Sequence, residues 1–143
     1  NIDSFFTHPG DFLIIHDWKR PWRITGNSSV YRFKLGAFPG LMPYFREHFD
    51  EIRQKFRNEQ AYLSWYVDQE KKLSYWPDSW CKSYKYHCLQ KIPLAYFKPP
   101  IKPEGAKIIV FHGEINPPDA VNGGGGKWYR YVLPSDWIKE AWH

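Results

Sequence analysis

Lys107-Ile108-Ile109-Val110-Phe111-His112-Gly113 is a short, unbroken apolar run rich in β-branched residues. It is entered through Pro103-Glu104-Gly105 and closed by a histidine and a glycine. A run of this length between Gly/Pro punctuation predicts a buried strand. Because it does not alternate, the expected setting is a parallel or mixed sheet covered on both faces. A polar residue at the carboxyl end of such a strand lies where open α/β sheets bind ligands. His112 is therefore the first functional candidate, set against the plainer role of a hydrogen-bonded structural histidine.

Working outward, Phe12 to Ile15 forms a second apolar run, and it too ends in polar residues, His16-Asp17-Trp18. Gly26-Asn27-Ser28-Ser29 reads as a turn, and Val30 to Leu35 alternates with the period of a half-buried strand. Phe45, Phe49, Ile52 and Phe56 recur at the helical period from Pro43 onward, which predicts one long helix. Asn58 is placed to cap a second helix whose apolar stripe is Tyr62, Leu63, Tyr66 and Val67. A strand is expected over Leu73 to Trp76, followed by an aromatic loop to Cys88. A further loop is expected through Pro99-Pro100. Trp128 to Val132 reads as an edge strand. Ser135 is placed to cap a last helix that buries Trp137, Ile138, Ala141 and Trp142. Strands interleaved with helices, without a linker, give an α/β architecture over residues 1–143, one domain with a mixed sheet and flanking helices.

Composition narrows the partners. The chain has 143 residues, a formal charge of +5 and 20% aromatic residues, including eight Trp and ten Tyr. Flat amphipathic rings suit sugar and base faces as well as cores, and the charge favours anionic ligands. Lys and Arg are dispersed, so a dedicated nucleic-acid surface is not favoured. Cys81 and Cys88 make neither a disulfide framework nor a zinc motif. No stretch reaches the roughly eighteen apolar residues of a membrane span, and a cytoplasmic location is expected.

Several residue groups carry candidate chemistry. Asp17 suits a metal or a sugar hydroxyl, or equally an ion pair with Lys19 or Arg20. Asn27 and Ser28 suit sugar hydroxyls and also turns. Glu59 and Gln60 fall in the first turn of a helix, where a carboxylate is favoured in any case. Gly113 permits close backbone approach. Lys127 follows Gly123–Gly126, but that run lacks the GxxxxGK[ST] spacing of a phosphate loop. Neither a G-x-S-x-G elbow nor a pair of carboxylates suited to hydrolysis stands out.

Taken in order, these segments resemble a known pattern: a strand ending in His16-Asp17, the stretch Gly26-Asn27-Ser28-Ser29-Val30, and the helix start Asn58-Glu59-Gln60. Leu73-Tyr75-Trp76-Pro77 and Phe111-His112-Gly113-x-x-Asn116-Pro117 follow. Together they resemble the carboxyl-terminal part of a nucleotide-diphospho-sugar glycosyltransferase of the GT-A fold, of the glycogenin and lipopolysaccharide galactosyltransferase type. The resemblance implies an incomplete GT-A-like fold and transfer of a sugar from a nucleotide-sugar donor to a saccharide or lipid-linked acceptor. It implies sugar contacts from Asp17 and Asn27, beside which Ser28 is a further candidate for a sugar hydroxyl and Trp18 and Trp76 are candidate stacking walls. It also implies Glu59 and Gln60 near the reacting carbon, His112 as a ligand of manganese or magnesium, and Gly113 and Lys127 on the diphosphate. The chain departs from the family in four ways, the first being that Lys127-Trp128 lies much further along than the family's Lys-Pro-Trp. Glu59 stands where aspartate is usual, His112 and Gly113 are adjacent, and no Asp-x-Asp triplet occurs. An isolated half with a weak metal site is the expectation, with its nucleotide-binding half elsewhere or an open sheet edge that pairs two copies. A non-catalytic carbohydrate-binding or scaffold module is the alternative. A basic aromatic nucleic-acid binder is the third reading.

Overall fold

A computed structural model describes residues 1–124, 129 and 131–142. The chain, read as one domain from its length, forms two compact units, Asn1–Asp78 and Ser79–His143. Each is a small α/β assembly.

In the first unit the order is α1 (Asp3–Thr7), β1 (Phe12–His16), β2 (Gly26–Phe33), α2 (Leu41–Glu47), α3 (Phe49–Lys55), α4 (Glu59–Gln69) and β3 (Leu73–Tyr75). The three strands form one mixed sheet in the order β2-β1-β3, β2 antiparallel and β3 parallel to β1. The strand buried along its length is β1: Phe12, Leu13, Ile14 and Ile15 are all buried. An unalternating apolar run is what a central strand requires, since both of its faces are covered. Phe12 and Ile14 pack with Val67 of α4, joined by Phe38, Leu63, Leu73 and Tyr75.

Two local expectations change here. The Pro43 helix is two helices, α2 and α3, meeting at His48, whose backbone (φ −110°, ψ 27°) leaves the helical region. Gly26-Asn27-Ser28-Ser29 is not a turn before β2 but its first half. The register explains the ambiguity. Ile15 pairs with Asn27 and Ile14 with Tyr31, so Ser28, Ser29 and Val30 bulge out of the ladder.

Arg32 of β2 ties the amino-terminal segment to this sheet. Its guanidinium donates to the carbonyls of Phe5 (2.7 Å), Phe6 (3.1 Å), His8 (2.7 Å) and Gly10 (2.9 Å). The same group lies 5.6 Å from the centre of the Trp76 ring. The end of the short α1 thus has its orphan carbonyls satisfied by a planar fork that lysine cannot imitate.

The second unit holds β4 (Cys81–Ser83), β5 (Ile108–Val110), α5 (Pro117–Asn122) and α6 (Asp136–Ala141). The run at 107–113, expected as the buried centre of the sheet, contributes β5. Among the described residues β5 pairs only with β4, in parallel, and its residues are half-buried. Between 77 and 88, where a loop was expected, lie β4 and a one-turn π-helix, Tyr84–Cys88, closed by Leu89 N–H donating to Tyr84 O at 3.2 Å. The core joins Tyr84, Cys88, Ile115, Ala120, Val132 and Ile138. α5 begins at Pro117 with a reciprocal box between Asn116 and Asp119, the prolines standing in its first turn. α6 follows Ser135, but the expected side-chain cap does not form: the Ser135 hydroxyl is buried with no hydrogen-bond partner among the described residues, and Ala141 and Trp142 are exposed. Of the expected strand at Trp128 to Val132, Trp128 and Arg130 lie outside the described residues. Val132 forms an isolated antiparallel bridge with Gly124.

Two outcomes test the first unit. A Cβ on Gly26 would sit 2.5 Å from Ile14 Cγ2, against a fully buried side chain. Gly26→Ala is therefore expected to lower stability by about 1–3 kcal/mol, read from the urea midpoint. Arg32→Lys, which keeps the charge but not the fork, is expected to lose about 1–3 kcal/mol by the same measurement.

Candidate functional site

The bulge in β2 builds the polar cluster of the first unit. Out of the ladder, the Ser28 N–H donates to Gln60 Oε1 at 3.1 Å. The Ser28 hydroxyl lies 3.2 Å from Glu59 Oε1 and 3.3 Å from Gln60 Oε1. Glu59 and Gln60 stand in the first turn of α4, whose start is fixed by Asn58 Oδ1 accepting from the Ala61 N–H at 3.2 Å. One turn on, buried Ser64 accepts from the Gly26 N–H at 2.9 Å and holds the helix against the strand. Asn27 Oδ1 accepts from the Ser29 N–H at 2.9 Å, which leaves its amide NH2 as the donor end.

The tip of β1 adjoins this cluster, since His16 pairs with Gly26. Asp17, expected to pair with Lys19 or Arg20 through their charged ends, instead accepts at Oδ1 from the Lys19 backbone N–H at 2.9 Å. His16 stacks on Tyr75 with ring centres 4.2 Å apart, and the Tyr75 hydroxyl donates to Ile24 O at 2.6 Å. Trp18, beside Asp17, is half-buried. Trp76 is interior: 3% exposed, edge-on to Phe5 at 4.7 Å, its indole N–H donating to Val30 O at 3.2 Å. Its place is in the packing under the bulge rather than on a stacking wall.

The residues drawn from the 107–113 run lie in the second unit. His112 Nε2 is 2.7 Å from Ser83 Oγ, and its ring centre is 5.4 Å from that of Tyr86. Gly113 has φ +94° with open space where a Cβ would stand, so backbone conformation, not crowding, requires glycine. Lys127 lies outside the described residues. Among the described residues no three His, Cys, Asp or Glu side chains gather as a metal-binding group. One imidazole already bonded to a serine does not fit the divalent ion that the resemblance implies.

The sequence reading missed Ser83. This fully buried residue donates its N–H to His87 Nδ1 at 3.0 Å, while its hydroxyl meets both His112 and the Tyr86 N–H, the latter at 3.3 Å. A small polar residue inside an aromatic, aperiodic stretch carries no signal of its own. The buried thiols of Cys81 and Cys88 are pushed up to about 12 by burial, which keeps them protonated and unreactive at neutral pH.

His112 and Tyr86 face an open cavity of about 560 Å³ in this unit, whose wall also includes Tyr84, Lys85, Lys91 and Tyr131. A second, apolar cavity of about 340 Å³ lies in the first unit between Phe12, Tyr31, Phe33, Phe38 and Met42. No helix among the described residues is long and apolar enough to cross a membrane. No family model, curated protein or solved structure matches the chain.

Burial holds the pKa of both His112 and His87 below the ordinary histidine value, with Lys85 beside the first and Lys82 beside the second acting in the same direction. The unfolded chain then takes up these protons before the folded one does. Stability is complete above the unfolded value of about 6.5, and falls as pH drops from there to the depressed folded values. A thermal-midpoint series from pH 7.5 to 5 is expected to show this loss, and Lys85→Gln to reduce the His112 share of it.

Proposed function

We propose that the strand-tip cluster of the first unit recognises the sugar of a nucleotide-sugar donor. On this reading the chain belongs to a glycosyltransferase that passes the sugar to a saccharide or lipid-linked acceptor. The observation that carries it is the junction of Ser28 with Glu59 and Gln60, reached at 3.1–3.3 Å from two separate elements. A carboxylate and an amide side by side can take hydrogen bonds from adjacent sugar hydroxyls. The Asn27 NH2 is a donor for a hydroxyl or ring oxygen. Asp17 and Trp18, at the neighbouring strand tip, add a carboxylate and a flat apolar face.

Transfer requires the anomeric carbon to lose its diphosphate and bond to an acceptor oxygen, whose proton must leave. Glu59, next to Gln60 and open to solvent, is a carboxylate of this cluster able to accept that proton. The order of the segments, from His16-Asp17 to Phe111-His112-Gly113, supports the same reading by resemblance.

Calorimetric titration of UDP-glucose, UDP-galactose and GDP-mannose into the chain tests it. One of these donors is expected to bind, and Ser28→Ala or Gln60→Ala to weaken that binding about fivefold, the worth of one neutral hydrogen bond. Absence of heat from all of these donors would sink the idea. Binding of free monosaccharide with no preference for its nucleotide form would favour a carbohydrate-binding module instead.

A further inference from the structure

The cavity of the second unit has a composition that its packing role leaves unexplained. Lys85 and Lys91 stand in its wall against one carboxylate, Glu114, so the charged wall residues sum to a positive site. Lys85 lies 5.6 Å from the centre of the Tyr86 ring and close enough to His112 to oppose its protonation. Tyr84, 1% exposed, is also a wall residue, and its hydroxyl is buried with no hydrogen-bond partner among the described residues. A buried donor left unmade costs stability. Its retention in the wall of this cavity is accounted for by a ligand that supplies the missing acceptor. The remaining wall is aromatic and apolar: Tyr86, Tyr131, Leu89 and Ile115. Its volume, about 560 Å³, is that of a site for one small organic molecule.

We infer that this cavity binds an organic phosphate, with Lys85 and Lys91 on the phosphate, the Tyr84 hydroxyl as a further donor, and a ring of the ligand against the tyrosines. Lysine serves a phosphate as a point charge and needs no fork geometry. These residues lie outside the set implied by the resemblance, which places the phosphate on Gly113 and Lys127. The choice of a nucleoside diphosphate as the probe rests on the donor reading proposed above; the cationic cavity itself does not.

The test titrates uridine diphosphate, UDP-glucose, UDP-galactose, inorganic diphosphate and uridine into the whole chain, and into Lys85→Gln, Tyr84→Phe and Ser28→Ala variants. Uridine diphosphate is expected to bind, and inorganic diphosphate more weakly. Lys85→Gln should cost about tenfold, and Tyr84→Phe about fivefold. Tyr84→Phe should at the same time raise the thermal midpoint of the free protein, because it removes an unpartnered buried hydroxyl. A purely structural role would raise the midpoint without touching binding. Unchanged affinity in both Lys85→Gln and Tyr84→Phe, or uridine binding as tightly as its diphosphate, overturns the inference. Ser28→Ala separates the two readings. If diphosphate binding depends on Lys85 while a sugar on the nucleotide adds nothing that Ser28 controls, the cavity stands and the sugar reading falls.

Discussion

The polar cluster of the first unit depends on one irregularity, the bulge where β2 passes Ile14 and Ile15 of β1. A regular antiparallel ladder would commit the Ser28 backbone to pairing and alternate its side chain with its neighbours. Slipping Ser28, Ser29 and Val30 out of register releases the Ser28 N–H to Gln60 and Val30 O to the Trp76 indole. The released groups are satisfied on both sides, by α4 and by the aromatic packing beneath. A bulge survives in a small sheet only when its freed donors and acceptors find partners.

Gly26 makes that arrangement possible. Its lack of a side chain lets β2 lie against the fully buried Ile14, and its N–H reaches Ser64 in the middle of α4. This single buried hydrogen bond sets the approach of the helix, so that the first turn, with Glu59 and Gln60, ends beside the bulge. Arg32 performs the corresponding task at the other end of β2, where one guanidinium collects four carbonyls. Two ends of one strand are thus pinned by side chain–backbone bonds rather than by a longer ladder, which suits a sheet of three short strands.

The second unit is organised around buried Ser83. Two histidines and a backbone amide converge on it, and the π-turn that follows places Tyr84, Lys85 and Tyr86 on the cavity wall. Desolvation keeps both histidines neutral near pH 7, so they act there as hydrogen-bonding groups rather than charges. The positive character of the cavity comes from its lysines.

Local chemistry determined much of this protein in the sequence alone. Phe12 to Ile15 read as a strand, Asn58 as a cap and Tyr62 and Val67 as an inward stripe, because each rests on neighbours within a few residues. Asp17, Asn27, Ser28, Glu59 and Gln60 were legible as polar residues at element ends. Tertiary structure decided the rest. Half-buried β5 and fully buried β1 carry the same unalternating pattern, and only pairing partners distinguish a two-stranded ribbon from the middle of a sheet. Gly26 to Ser29 has the composition of a turn, and only register against Ile14 and Ile15 makes it a bulge. Trp76 has the chemistry of a sugar platform, and only the burial beneath Arg32 and Phe5 makes it core. Ser83 became central through contacts with residues up to 29 positions away, which no local pattern encodes. Periodicity and capping are short-range properties of the chain, whereas register, burial and convergence of side chains arise between segments that are distant in sequence.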